Sequence, residues 1–103
     1  MKRGALVLVL LVAVLIAGCS DRLEGTHGEE LYRVACAQCH GADLTGGLGP
    51  SIDAGSNADT GLSDEQVGNV IEVGPGAMPG FDRRLTEDQI ESLVKYLRVT
   101  QGR

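Results

Sequence analysis

The sequence predicts a small all-α fold with about three helices and one long glycine-rich loop. Three stretches begin with the S/T-x-x-E/Q pattern that caps helix N-termini, and apolar residues at helical spacing follow each of them. No stretch shows the strict apolar–polar alternation that is typical of a strand. The predicted folded domain covers residues 26–103.

Residues 1–18 are predicted to be an export signal that precedes this domain. Lys2 and Arg3 come before an apolar run of 13 residues, from position 5 to position 17. A helix needs about 20 apolar residues to cross a bilayer, so a transmembrane anchor is the less favoured interpretation.

The signal ends in LIAGCS, which resembles the bacterial lipobox. This resemblance implies cleavage before Cys19 and attachment of a diacylglycerol to its thiol. The alternative is an ordinary cysteine near an ordinary cleavage site. Residues 19–25 are then the lipidated cysteine and a short linker, and we expect the protein at the outer face of a bacterial cytoplasmic membrane, with an outer membrane as the other location.

Cleavage before Cys19 leaves 85 residues with seven basic and 14 acidic side chains, a formal net charge of −7. Such an acidic surface argues against nucleic acid as a partner and favours a protein with a basic docking patch. The alternative is that the charge only keeps the protein soluble.

The three helices are predicted from their capping boxes and from the apolar residues behind them. The boxes are Thr26 with Glu29, Ser63 with Gln66, and Thr86 with Gln89. The apolar residues are, in the same order, Leu31, Val34 and Ala35; Val67, Val70 and Ile71; and Ile90, Leu93, Val94 and Leu97. Gly74 and Pro75 end the second helix.

Residues 41–62 form the predicted glycine-rich loop, with six glycines and one proline. Loops longer than about 15 residues are uncommon in compact domains unless they are functional or disordered. Wrapping around a bound cofactor explains such a loop, and disorder is the alternative. A cofactor also fits the weak core, because the chain has only three aromatic residues and small domains usually need an added stabilising element.

The chemistry of the chain is concentrated in Cys36-Ala37-Gln38-Cys39-His40, which fits the C-x-x-C-H pattern of c-type haem attachment. Thiols three residues apart on a helix share one face and reach the two vinyl groups along one haem edge. The histidine that follows supplies an imidazole nitrogen to the iron.

Other interpretations of the cysteine pair remain open at this point. A thioredoxin-like dithiol is expected after a strand, which the sequence does not show. A structural zinc site needs four ligands. His27 and His40 can be counted with the cysteine pair, but His27 precedes the pair on the same short predicted helix and no second C-x-x-C exists. A simple disulfide is a further alternative, and a non-haem thiol protein is the function that these interpretations imply.

Met78 is the candidate second axial ligand. It lies in the segment GPGAMPGF and is the only methionine left after cleavage of the signal. A single methionine is usually a core residue. Met78, however, follows a helix end and lacks helical spacing to the apolar residues, which favours ligation.

These motifs occur in the order and approximate spacing of small bacterial class I cytochromes c, which the chain resembles over residues 26–101. The segments that carry the resemblance are CAQCHG, GLGPSI, GAMPGF and LVKYL. The resemblance implies one haem c, covalently attached through Cys36 and Cys39, with the helices and the loop wrapped around it. It also implies that His40 is the proximal ligand and Met78 the distal one.

The resemblance further implies which residues surround the haem. The Pro50 carbonyl is expected to accept the imidazole N–H, and Gly28 to let the first and third helices approach closely. The residues expected to pack on the haem or between helices are Tyr32, Pro50, Phe81, Leu93 and Tyr96. His27 is expected at the surface. Arg83 and Arg84 are expected to be a solvated pair, with contact to a haem propionate as the alternative.

The implied function is one-electron transfer in a bacterial respiratory or photosynthetic-type chain, not enzymatic catalysis. The expected partners are a membrane donor complex and a terminal oxidase or reductase, with the lipid anchor holding the protein at the membrane. A haem-based gas sensor and a dedicated subunit of one redox complex are the alternatives.

Overall fold

The computed structural model describes residues 23–103, which form five helices and no strand. The helices are α1 (Gly28–Ala35), α2 (Ala37–His40), α3 (Asn57–Thr60), α4 (Asp64–Val73) and α5 (Glu87–Thr100). The all-α fold class is confirmed, and α1, α4 and α5 are the three predicted helices. No helix within residues 23–103 is long and apolar enough to span a membrane. The predicted export signal and Cys19 lie outside the described residues.

Two of the three predicted capping boxes are formed. At α4 the Ser63 hydroxyl accepts from the Gln66 amide at 3.2 Å, and the Gln66 side chain accepts from the Ser63 amide at 2.9 Å. Thr86 and Gln89 make the same reciprocal pair at the start of α5, at 3.2 and 3.0 Å. The sequence therefore placed the N-termini of these two helices correctly.

The third box, predicted at Thr26, is not formed. His27 is the N-cap residue of α1 and makes no side-chain capping bond. The Thr26 hydroxyl instead donates to the Leu23 carbonyl at 2.9 Å, and the Glu29 carboxylate pairs with Arg33 at 3.1 Å. Both side chains that the box requires are thus engaged elsewhere.

The core lies where α1 crosses α5, closed on one side by α4. Its buried apolar side chains are Leu23, Leu31, Tyr32, Leu44, Val67, Ile71, Phe81, Leu85, Ile90, Leu93, Val94 and Leu97. Residues 23–25 were expected in the linker but already belong to the fold. The side-chain amide of Gln89, on α5, donates to the carbonyls of Leu23 and Thr26 at 2.7 and 3.0 Å.

The steric role expected of Gly28 is wrong. A Cβ atom at this position would meet nothing within 4 Å, so the missing side chain does not set the distance between α1 and α5. Glycine is instead favoured at position 28 because the backbone there has a φ of +56°, a left-handed conformation that glycine adopts readily. Its amide donates to the Ser92 hydroxyl of α5 at 3.0 Å, which is the contact that joins the two helices here.

Candidate haem site

The C-x-x-C-H segment occupies the junction between α1 and α2. Cys36 separates the two helices with φ −122° and ψ −37°, while Cys39 and His40 lie on α2. The amides of Cys39 and His40 both donate to the Cys36 carbonyl, at 3.2 and 3.0 Å. This single turn holds two half-buried thiols three residues apart, and neither is in a disulfide.

The His40 ring is oriented by the loop that follows it. Its Nδ1 lies 2.8 Å from the Pro50 carbonyl oxygen, as the family resemblance implied. A carbonyl can only accept, so Nδ1 must carry the proton and donate. The remaining nitrogen, Nε2, then has its lone pair free for a metal ion.

Two glycines of the loop hydrogen-bond to the backbone at the end of α2. The amides of Gly46 and Gly49 donate to the carbonyls of His40 and Cys39, at 2.7 and 2.8 Å, which satisfies groups that a helix end leaves unpaired. A Cβ atom at Gly49 would lie only 3.2 Å from His40 Cε1, so a side chain there would press on the imidazole. The loop is therefore ordered around His40, and the disorder interpretation is wrong for it.

The start of the same loop is fixed by a buried tyrosine. The Tyr32 hydroxyl donates to the Gly41 carbonyl at 2.7 Å, and the Tyr32 ring lies 5.3 Å from the Tyr96 ring, between centroids. Burial is the main cause that raises the pKa of Tyr32 to about 12. Leu44 is fully buried with a φ of +68°, so the loop accepts a strained backbone to place this side chain in the core.

Burial also acts on the first thiol of the motif. It raises the pKa of Cys36 to about 11, with a smaller contribution from Cys39. Without haem, the Cys36 side chain is therefore a neutral thiol at neutral pH.

Met78 lies in a loop that folds back tightly on the end of α4. Gly74 ends α4 with a φ of +66°, and a Cβ atom there would lie 2.3 to 2.5 Å from backbone atoms of residues 78–80. The Phe81 amide donates to the Ile71 carbonyl at 3.0 Å, so the loop also satisfies the helix end. Met78 is half-buried and packs against the core.

The other predicted residues differ in how far they are buried. Tyr32, Phe81 and Leu93 are buried in the core, and Tyr96 is half-buried beside Tyr32. The Pro50 ring is exposed while its carbonyl holds His40. His27 is exposed, as expected, and Arg83 and Arg84 are exposed as well. The Arg84 guanidinium lies 5.5 Å above the Phe81 ring.

The donor set fits haem better than it fits the alternatives. Within residues 23–103, no group of three or more His, Cys, Asp or Glu side chains is placed to hold a metal ion, which leaves a zinc site without a fourth ligand. A thioredoxin-like dithiol requires a strand before the cysteine pair, and residues 23–35, the part of that stretch that the structure describes, contain none. Two free thiols beside an imidazole with an open nitrogen are what covalent haem attachment needs.

Comparison with known proteins agrees with this geometry. The family model described as cytochrome c oxidase, cbb3-type, subunit III matches residues 24–97. Cytochrome c55X of Paracoccus denitrificans (strain Pd 1222) is 42% identical over 103 residues, 98% of each chain. The menaquinol:cytochrome c reductase cytochrome c subunit of Geobacillus thermodenitrificans is 34% identical over 63% of this chain and 26% of its own length.

A solved structure extends the likeness to the fold. The KustC0563 c-type cytochrome superposes with a TM-score of 0.66 and 29% identity, over 74% of this chain and 99% of that chain. The residues that the family model matches include the C-x-x-C-H turn. The chain therefore belongs to the family described as cytochrome c oxidase, cbb3-type, subunit III, and is a small class I c-type cytochrome with covalently bound haem c.

Proposed function

We propose that this cytochrome is a one-electron carrier in which His40 and Met78 are the two axial ligands of the haem iron. The observation that carries the proposal is the bond between His40 Nδ1–H and the Pro50 carbonyl, which leaves Nε2 as the free donor. Such a bond fixes the ring and raises the basicity of a metal-ligating histidine. When bound, haem c supplies the one-electron couple, and the chain supplies its ligands and its surroundings.

The clamped loop of residues 74–80 supports Met78 as the second ligand. The backbone of residues 78–80 lies directly against Gly74, and Gly80 lies against the carbonyls of Glu72 and Val73. The end of α4 therefore sets the position of residue 78. Thioether ligation opposite a histidine raises the reduction potential and leaves no open position for a substrate. Electron transfer without catalysis is the function that this ligand pair favours.

We further propose that Cys19 is lipidated and holds the protein at the outer face of a bacterial cytoplasmic membrane. The support is the lipobox-like segment at residues 15–20 and the apolar run before it. Because residues 23–25 belong to the fold, the linker runs only from Cys19 to Leu23 and spans at most roughly 14 Å when extended. Such a short linker keeps the haem domain close to membrane complexes and raises its effective concentration there.

The proposed partners are a membrane donor complex and an oxidase or reductase that present basic docking patches. The net charge of the mature chain favours such partners, and weak redox encounters use small interfaces. A dedicated subunit of one complex is the second candidate. The name of the Geobacillus relative, a subunit of a menaquinol:cytochrome c reductase, favours it.

Potentiometric titration of the exported, haem-loaded protein tests the carrier function, with carbon monoxide as a probe. We expect a reversible one-electron transition and no binding of carbon monoxide by the reduced protein, because both axial positions are filled. Ready binding of carbon monoxide would instead favour a gas sensor in which Met78 is not a ligand.

A further inference from the structure

We propose that Gln101 is a positioning residue for His40, because it holds the loop segment whose Pro50 carbonyl accepts the His40 ring proton. This inference rests on the proposed ligation of the iron by His40. Gln101 follows the last residue of α5 and is 61 positions away from His40 in the sequence. The connection between the two residues exists only in the folded chain.

The link runs through Ile52, two residues after Pro50. The Gln101 side-chain amide donates to the Ile52 carbonyl at 2.8 Å. The Ile52 amide donates to the Leu44 carbonyl, also at 2.8 Å. Both backbone polar groups of Ile52 are therefore hydrogen-bonded, the amide to Leu44 within the loop and the carbonyl to the Gln101 side chain. The Pro50 carbonyl is fixed at the start of this short anchored segment.

Gln101 is itself held on its other side. Its carbonyl oxygen accepts from the Arg98 guanidinium at 2.9 Å, and both residues are only 7% exposed. The same guanidinium donates to Asp64 at 2.7 Å and to the carbonyls of Ala58 and Leu62 at 2.7 Å each. The amide of Gln101 is thus locked in orientation, with its NH₂ group toward the loop.

This arrangement acts on the iron through the basicity of His40. A firm hydrogen bond from Nδ1–H to a carbonyl gives the imidazole more electron density, which favours the more positively charged, oxidised iron. Loss of the Gln101 anchor lets the Pro50 carbonyl move and weakens that bond. We therefore expect a higher reduction potential when Gln101 cannot donate.

The test compares Gln101→Met with Gln89→Met in the mature, haem-loaded protein. Both substitutions remove a buried amide on or next to α5 and keep a side chain of similar volume. Gln89 donates to the carbonyls of Leu23 and Thr26, on the N-terminal segment, not to the loop around Pro50. Both variants are expected to be less stable than the wild type. Only Gln101→Met is expected to raise the reduction potential.

The potential separates a positioning role from a purely structural one. An unchanged potential in Gln101→Met, or an equal rise in both variants, overturns the proposal. A wild-type protein without a low-spin spectrum would instead refute ligation by His40 and Met78, so the two failures are distinguishable.

A measurement on the wild type keeps the test decisive even if Gln101→Met fails to hold haem. NMR of the reduced protein measures how fast protons exchange with water at His40 and at Gln101, the two residues that the proposal connects. The His40 Nδ1–H and the Gln101 side-chain amide protons are expected to exchange far more slowly than those of Gln38, which is exposed. Exchange of the Gln101 protons at the rate of Gln38 overturns the proposal.

Discussion

The imidazole of His40 is held by two neighbours that the C-x-x-C-H pattern does not contain, Gly49 and Pro50. The sequence predicted the Pro50 carbonyl through the family resemblance, and the structure shows that bond. Gly49 was missed, because its role depends on a separation of 3.2 Å between its missing side chain and the ring. The signal available was two glycines flanking Leu48, directly before the proline.

The Tyr32 phenol gives a pH dependence that can be measured. Burial raises its pKa from 10.0 to about 12, so the folded state disfavours the phenolate. The stability that Tyr32 contributes is fully present below pH 10 and is lost as the pH rises from 10 to 12. Denaturant titrations of the wild type should show the free energy of unfolding falling across that window.

Tyr32→Phe should remove this part of the decline, and Tyr96→Phe should retain it. Tyr32→Phe also loses the bond to the Gly41 carbonyl, at a cost of about 1 kcal/mol that does not depend on pH below 10. Equal slopes above pH 10 in Tyr32→Phe and the wild type would show that the phenol is not the group responsible.

At the scale of elements, α4 and the loop behind it act as one unit. The helix begins at a formed capping box and ends at Gly74, whose left-handed backbone turns the chain toward Met78. Gly80 completes this turn, because a Cβ atom there would lie 2.8 Å from the carbonyl oxygens of Glu72 and Val73. The position of Met78, the proposed distal ligand, thus depends on direct contact between the backbone of residues 72–74 and that of residues 78–80.

Gly74→Ala tests this dependence, with Gly76→Ala as the matched control. Both glycines have left-handed φ angles, +66° and +60°, so alanine costs roughly 1–2 kcal/mol at either position. Only at Gly74 would the new methyl group also meet backbone atoms within 2.5 Å. We expect Gly74→Ala to lose more stability in thermal unfolding and to weaken the iron–sulfur absorption band, while Gly76→Ala keeps the band.

A band that survives Gly74→Ala unchanged would contradict the role given to this turn. Equal losses of stability at the two glycines would contradict it as well, since the contact with residues 78–80 would then cost nothing.

The capping boxes show how far local sequence predicts such elements. Ser63 and Thr86 were placed correctly because the residues that satisfy each helix end lie within three positions. The box at Thr26 fails because its hydroxyl and the Glu29 carboxylate find other partners. The short helix α3, capped by Ser56, was not predicted at all, since its four residues carry no apolar periodicity.

At the scale of the molecule, α5 is the element that joins the rest together. Gln89 holds the N-terminal segment, Arg98 holds the start of α4, and Gln101 holds the loop around Pro50. Each of these polar side chains bonds a partner 34 to 66 positions away. Sequence periodicity marks the apolar face of α5 but carries no information about distant carbonyls, so these anchors could not be predicted.

The proposed membrane attachment belongs to this scale too, although Cys19 lies outside the described residues. We expect Cys19→Ser to move the haem protein from the membrane fraction to the soluble fraction when the full chain is expressed in a bacterium that matures c-type cytochromes. The physical reason is that serine has no thiol to carry the diacylglycerol that anchors the protein. Haem staining of both fractions measures the effect, and a variant that stays in the membrane would contradict lipidation at Cys19.

The ligand pair of the iron is the central claim, and an absorption spectrum tests it most directly. The mature protein and its Met78→Ala variant should be recorded oxidised and reduced. We predict a low-spin c-type spectrum whose weak iron–sulfur charge-transfer band disappears in Met78→Ala. A high-spin spectrum that Met78→Ala leaves unchanged would contradict the account.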